Sequence, residues 1–287
     1  MKLINTFIFS NIFLSVGAVL LTVSAQVQLG MKPQWQPYLL LIFFATLIEY
    51  NRDLVTQILT KKVSLNIEKQ HWIRKNKKFI IFVLTVSVVL FLYALFSTKA
   101  EVLIAFLPLA ILTFFYSFPV SGKRNYFLRL REVPYLKIFL IAFVWSATTT
   151  LLPVIEADAK IMETQVILLF VERFFFVFAI AIPFDIRDMQ SDSDAGIKTI
   201  PMLINRNKAL LFSYLSLTVS FLISLFHYRM QNNWFIIEAL SISLLITYLF
   251  LKLQFFRNLS RYYYHILDGT VLLQGMLVLV FYLFGHG

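Results

Sequence analysis

The sequence predicts an all-α fold: a polytopic membrane bundle of about nine transmembrane helices, arranged as two related halves. Three observations carry this. Of 287 residues, 59% are hydrophobic and only 14% charged, far from the balance of a soluble domain. The chain divides into about nine apolar stretches, each near the length of about 20 residues that a helix needs to cross a bilayer. None shows the alternating pattern of a membrane barrel.

The first stretch, 5–29, is too long for the core of a signal peptide and lacks a convincing cleavage site, so it is expected to be a retained helix. The others follow at 37–59, 79–98, 101–118, 134–154, 163–184, 208–228, 234–255 and 263–284. Most connections are short, which predicts one domain over 1–287 with no soluble appendage.

The net charge of +11 is explained by its distribution. Lys61, Lys62, Lys69, Arg74, Lys75, Lys77 and Lys78 follow the second segment. Lys123, Arg124, Arg129 and Arg131 follow the fourth, Arg187, Lys198, Arg206 and Lys208 the sixth, and Arg257 and Arg261 the eighth. The opposite connections carry only Lys32, Lys99, Lys160 and Arg229. Basic loops stay cytoplasmic, so the N-terminus is expected inside and the C-terminus outside. This reading favours membrane topology over nucleic-acid binding.

Several chemistries are excluded or disfavoured. No cysteine means no disulfide, thiol nucleophile or cysteine metal site. Four histidines argue against a transition-metal centre. There is no phosphate-binding glycine loop of the Walker type and no nucleophile elbow.

The most informative stretch is FDIRDMQSDSDAGIKTIP, from Phe184 to Pro201. If the sixth helix continues past its apolar run, Asp185, Asp188 and Asp192 fall at i, i+3 and i+7 on one face, and Asp194 points away. Clustered carboxylates repel each other unless a cation neutralises them. Oxygen ligands of this kind suit Mg²⁺. The alternative is a solvated acidic loop, but carboxylates beside a bilayer are costly unless used.

A second polar cluster ends the second segment: IEYNRDLVTQILTKK, Ile48 to Lys62. Asp53, Thr56 and Thr60 repeat the same spacing, with Glu49 on the face of Asp53. The repetition suggests two related halves. Asn51 and Asp53 fit either ligand binding or interfacial capping. A third cluster, YSFPVSGKRNYFLRLREVPYLK from Tyr116 to Lys137, is basic. Lys123 and Arg124 fit phosphate binding and also positive-inside decoration. Arg131 and Lys137, near the start of the fifth segment, fit snorkelling as well.

Together the three clusters resemble the UbiA-type membrane prenyltransferases, a family with nine transmembrane helices and aspartate-rich motifs after helices 2 and 6. The resemblance rests on Asp185-Ile-Arg-Asp188, Asp192 and Gly196-Ile-Lys198-Thr199, on Tyr116-Ser117 followed by Lys123-Arg124, and on Lys137 ahead of Trp145. It covers essentially the whole chain. The first motif departs from the family's Asn-Asp with further Asp at three and seven positions beyond. Here Asn51 is followed by Arg52, then Asp53, Thr56 and Thr60. That departure is compatible with a different diphosphate donor, a single-metal site or a protein no longer catalytic.

The resemblance implies transfer of an isoprenyl group from a prenyl diphosphate to an aromatic or lipid acceptor at the cytoplasmic side. It implies Mg²⁺ held by Asp185, Asp188 and Asp192, with Asp53 on the opposite side. Lys123, Arg124 and Arg52 would stabilise charge on the departing pyrophosphate. Asn51, Asp53, Lys137 and Lys198 would contact the substrate, and Tyr116 and Trp145 would face the allylic cation. The partners implied are the diphosphate, a hydrophobic or aromatic acceptor and membrane lipids, with no nucleic acid. The alternative is a noncatalytic relative that binds an isoprenoid lipid or a partner protein. A transporter would suit Glu172 and Arg173, deep in the sixth segment, but few Gly or Pro interrupt the segments. Glu172 and Arg173 are expected to pair with different helices. His265 and Asp268 fit a substrate contact or helix-end packing.

Overall fold

The computed structural model describes residues 2–60, 67–118, 129–194, 196–257, 259 and 262–285. Among them every regular element is helical. In chain order these are α1 Lys2–Phe9, α2 Ile12–Gln28, α3 Pro37–Thr60, α4 Ile67–Lys75, α5 Lys77–Ser97 and α6 Ala100–Ser117, then a short 3-10 turn Leu130–Glu132. They are followed by α7 Leu136–Glu156, α8 Thr164–Asp194, α9 Ile200–Ile204, α10 Arg206–Met230, α11 Trp234–Lys252 and α12 Gln254–Arg257. A π-helical turn, Tyr262–Leu267, leads into α13 Asp268–Gly285.

Among the described residues seven helices are long and apolar enough to cross a membrane, or eight if α1 and α2 form one bent span. The expected count of about nine is therefore not reached by this measure. The second predicted segment corresponds to α3, which has 24 residues but carries Glu49, Arg52 and Asp53 in its second half.

Four segments depart from or extend the predicted stretches. The first segment is not one helix: α1 meets α2 at 66°. The bend falls at Asn11, whose φ of 62° is left-handed, a conformation asparagine tolerates better than most residues. The sixth runs on to Asp194, because its polar extension keeps helical hydrogen bonding where the apolar run stops. Gly196, with φ of 74°, then ends it. The Gly196 N–H donates to Ser193 O and the Ile197 N–H to Asp192 O, the paired bonds that close many helix ends. The eighth stops at Lys252, and the ninth opens with the π turn.

The helix α8 is the axis of the packing. Its stretch from Phe176 to Ile182 is buried almost throughout, and it packs on α7 and α10. Around it α2 packs on α13, and α3 on α5. The α5 face shows how lipid exposure is read from sequence: only Ile80, Ser87 and Ala94, seven residues apart, are buried. Phe82, Leu92, Tyr93 and Phe96 are exposed, as suits a helix whose other faces meet hydrocarbon.

Deep in the bundle, Arg173 is fully buried. It donates to Leu21 O at 2.8 Å, to Gln28 Oε1 at 2.6 Å and to Ser24 Oγ on α2, and to Thr149 O on α7. Its neighbour Glu172 turns to α10, accepting from the Tyr228 hydroxyl at 3.2 Å. Adjacent helical residues point about 100° apart, so the two charges tie α8 to three different helices.

Candidate functional site

The polar ends of α3, α6 and α8 meet the starts of α7 and α13 at one end of the bundle, with α1 and α4 packed alongside. Lys137, in the first turn of α7, joins the first and third acids of the α8 run. Its Nζ lies 2.9 Å from Asp185 and 3.0 Å from Asp192. Residues 185 and 192 are two helical turns apart, which brings both carboxylates to one cation. Asp185 is 2% exposed. The backbone N–H of Tyr135 donates to Lys198 O, fixing the start of α7 to the segment after α8.

Asp188 is held differently. The Arg187 guanidinium forks onto it, Nε at 2.7 Å and Nη2 at 3.0 Å from its two oxygens. The same guanidinium stacks near Phe184, Tyr263 and Tyr264, 4.9 to 5.5 Å from the ring centres. Among the described residues no three acidic or histidine side chains stand together as an ion cage. The donor chemistry of the α8 carboxylates nevertheless suits a hard divalent cation, since all are oxygen ligands on one helix end. Lys137 and Arg187 occupy the positive positions against them.

On the α3 side, Asn51 is fully buried. Its Nδ2 donates to Ser10 O at 2.8 Å and to Leu47 O at 2.9 Å, so it braces the bend between α1 and α2. Its Oδ1 is buried with no hydrogen-bond partner. Arg52 pairs with Glu49 at 2.9 Å and lies 4.9 Å from the Phe118 ring centre. Glu49 also accepts from the Ser117 hydroxyl, joining α3 to α6. Asp53 and Thr56 are exposed. The Tyr116 hydroxyl lies among Lys137, Arg131, Asp185 and Glu49. Trp145 is partly buried, two helical turns into the bundle, and packs against the core around α8; Tyr50 on α3 faces its indole. Lys198 has an exposed side chain. Lys123 and Arg124 lie outside the described residues, as does the side chain of Thr60.

Two functional candidates escaped the sequence reading. Lys69, counted there with the basic loop, is 8% exposed. Its Nζ sits 4.0 Å from the centre of the Tyr264 ring. Burial pushes its ammonium down from 10.5 to about 8, against the pull of Asp268; Arg187 repels it and Asp53 attracts it. The available signal was the spacing of Lys69, Trp72 and Ile73, which puts the lysine on the apolar face of a short helix. Arg187 was visible inside the acidic motif but was assigned to charge topology.

Fold and site define a polytopic membrane protein with carboxylates, cations and aromatic rings gathered at one end of its bundle. Residues 73–262 match the model of the UbiA prenyltransferase family, and the chain belongs to that family. Solved structures share the fold across almost the whole chain. A UbiA homologue from Aeropyrum pernix K1 aligns with a TM-score of 0.60 at 12% identity, covering 98% of each chain. A UbiA homologue from Archaeoglobus fulgidus aligns at 0.57 and 15%, covering 93% of this chain and 96% of that one. A structure described as digeranylgeranylglyceryl phosphate synthase aligns at 0.52 and 14%, covering 98% of each. No curated protein matches the sequence.

Proposed function

We propose that this chain transfers an isoprenyl group from a prenyl diphosphate to a hydrophobic or aromatic acceptor, at the cytoplasmic end of the bundle and with Mg²⁺. Family membership supports prenyl transfer in a membrane. The observation that carries the finer reading is the set of α8 carboxylates: Asp185 and Asp192 converge on Lys137, while Asp188 is one turn away. A divalent ion at these oxygens, when bound, would neutralise charge on the departing pyrophosphate.

The chain's own residues would do the rest. Lys137 and Arg187 present positive charge to the same anion. Lys123 and Arg124 are proposed to join them from the connection after α6. The Asn51 Oδ1 is a buried acceptor without a partner, suited to a ligand or a water held beside it. Tyr116 and Trp145 are proposed to present aromatic faces to an allylic cation, an interaction of roughly 2 kcal/mol when desolvated. The basic loops at this end support its cytoplasmic placement, with the N-terminus inside and the C-terminus outside.

A second reading, a noncatalytic isoprenoid-binding protein, draws on the α3 side, where Arg52 is already paired with Glu49 and only Asp53 remains of the acidic motif. One experiment separates the two. Purified protein in lipid is given radiolabelled prenyl diphosphates with a membrane lipid extract, with and without Mg²⁺. Metal-dependent pyrophosphate release that disappears in Asp188→Ala supports the transferase. Tight diphosphate binding with no turnover supports the second reading.

A further inference from the structure

We infer that the start of α10 and the end of α11 form a binding site for an anionic phospholipid, held through its phosphate by Arg257 and Lys252 and along its acyl chains by the lipid-facing sides of the two helices. The site lies outside the prenyl-transfer centre and does not rest on the transferase reading.

The charge balance there is one-sided. Between Ile200 and Arg257 the chain places Arg206 and Lys208 at the start of α10, and Lys252 and Arg257 at and just beyond the end of α11. The one carboxylate in that stretch is Glu238, fourteen residues before Lys252 on α11, about 21 Å away along the helix. Among the described residues none of the four cations makes an ion pair.

Arg257 separates this patch from simple topology. It is half-buried, and its Nε is fully covered with no hydrogen-bond partner. Its Nη2 donates to Lys252 O at 3.5 Å, long for a charged donor. Tyr214 and Tyr262 lie within its field. The Tyr262 hydroxyl is a second buried polar group without a partner, on a side chain 2% exposed. A guanidinium drawn in among tyrosines, with no carboxylate against it, is costly unless an anion balances it. A cation that only sets topology needs no such burial, as the exposed Lys75 shows.

The surroundings give the anion its class. The Tyr214 hydroxyl donates to Leu251 O at 3.3 Å, and its ring centre lies 5.5 Å from that of Tyr248, so α10 and α11 are joined at this level. Lys252 Nζ stands 5.3 Å from the centre of the Tyr248 ring. Deeper along the same helices Leu211 and Leu215 of α10 and Leu245 and Leu249 of α11 are exposed, a surface that meets hydrocarbon. Cations above and an apolar wall below match a phospholipid, whereas a soluble phosphate uses only the upper part. Basic clusters between membrane helices are known to take acidic headgroups. A zwitterionic lipid would bring its own ammonium against four unpaired cations.

The test uses full-length protein in a neutral detergent. Dioleoylphosphatidylglycerol is the probe and dioleoylphosphatidylcholine the reference, with bound lipid counted by native mass spectrometry. The anionic lipid should bind at least about 10-fold more tightly. Arg257→Gln and Lys252→Gln should each weaken it about 5-fold, the loss of one cation beside an acidic headgroup. Lys75→Gln, in another basic connection at the same end, should change nothing. Glycerol 3-phosphate in large excess should not displace the lipid; displacement would make this a site for free phosphate and overturns the lipid assignment. A photoactivatable phosphatidylglycerol should label peptides of α10 and of α11–α12 in the unmodified protein, a result independent of how the variants fold. Equal affinity for the two lipids, an equal loss in Lys75→Gln, or label confined to other helices overturns the site.

Discussion

The ammonium of Lys137 stands 2.9 Å from the carboxylate of Asp185, and both side chains are largely hidden, at 15% and 3% exposure. A buried pair of this kind is costly to form from water but more costly to break on one side, because the remaining charge keeps its desolvation.

Lys137→Met should therefore destabilise the protein by about 3–5 kcal/mol. Asp185→Asn should do the same, and the double variant should recover a large part of the loss. Thermal melts of the three in one detergent check this; equal and additive losses would mean that the pair does not act as a unit.

Arg173→Met should be as damaging to stability without touching the site. It leaves Leu21 O, Gln28 and Ser24 without their donor. Arg173 is twelve residues before Asp185, about 18 Å along the helix. A lowered melting temperature with unchanged pyrophosphate affinity below the transition is the expected result.

Gly275→Ala should weaken the contact between α2 and α13. A Cβ there would lie 2.6 Å from the Leu20 carbonyl carbon and 2.8 Å from the Leu21 nitrogen, both backbone atoms that cannot swing away. Close helix approach at small residues is what packs membrane bundles. A loss of roughly 1–3 kcal/mol is expected; a neutral melt would show that the helices separate freely.

The acidic end of α8 was legible because charge in an apolar chain stands out; of the three aspartates its spacing placed on one face, Asp185 and Asp192 meet Lys137 while Asp188 is held by Arg187. Lys69 was not legible for the opposite reason: a lysine among six other basic residues reads as topology, and only packing of Ile73 and Trp72 reveals that it turns inward. The bend at Asn11 was hidden because an apolar run reads the same whether straight or broken. Arg187 was in plain view, but sequence does not tell that its fork closes on Asp188 rather than on a ligand. Asn51 fell between its two readings, with Nδ2 bracing the Ser10 bend and Oδ1 left over.

The most direct measurement is a structure of the full-length protein with Mn²⁺ and a non-cleavable prenyl thiodiphosphate, with the metal located by anomalous scattering. The account predicts a metal at coordination distance, about 2.1 to 2.4 Å, from carboxylates among Asp185, Asp188 and Asp192, bridging the diphosphate. A bound analogue whose diphosphate lies away from the α8 carboxylates, with no metal against them, would contradict it.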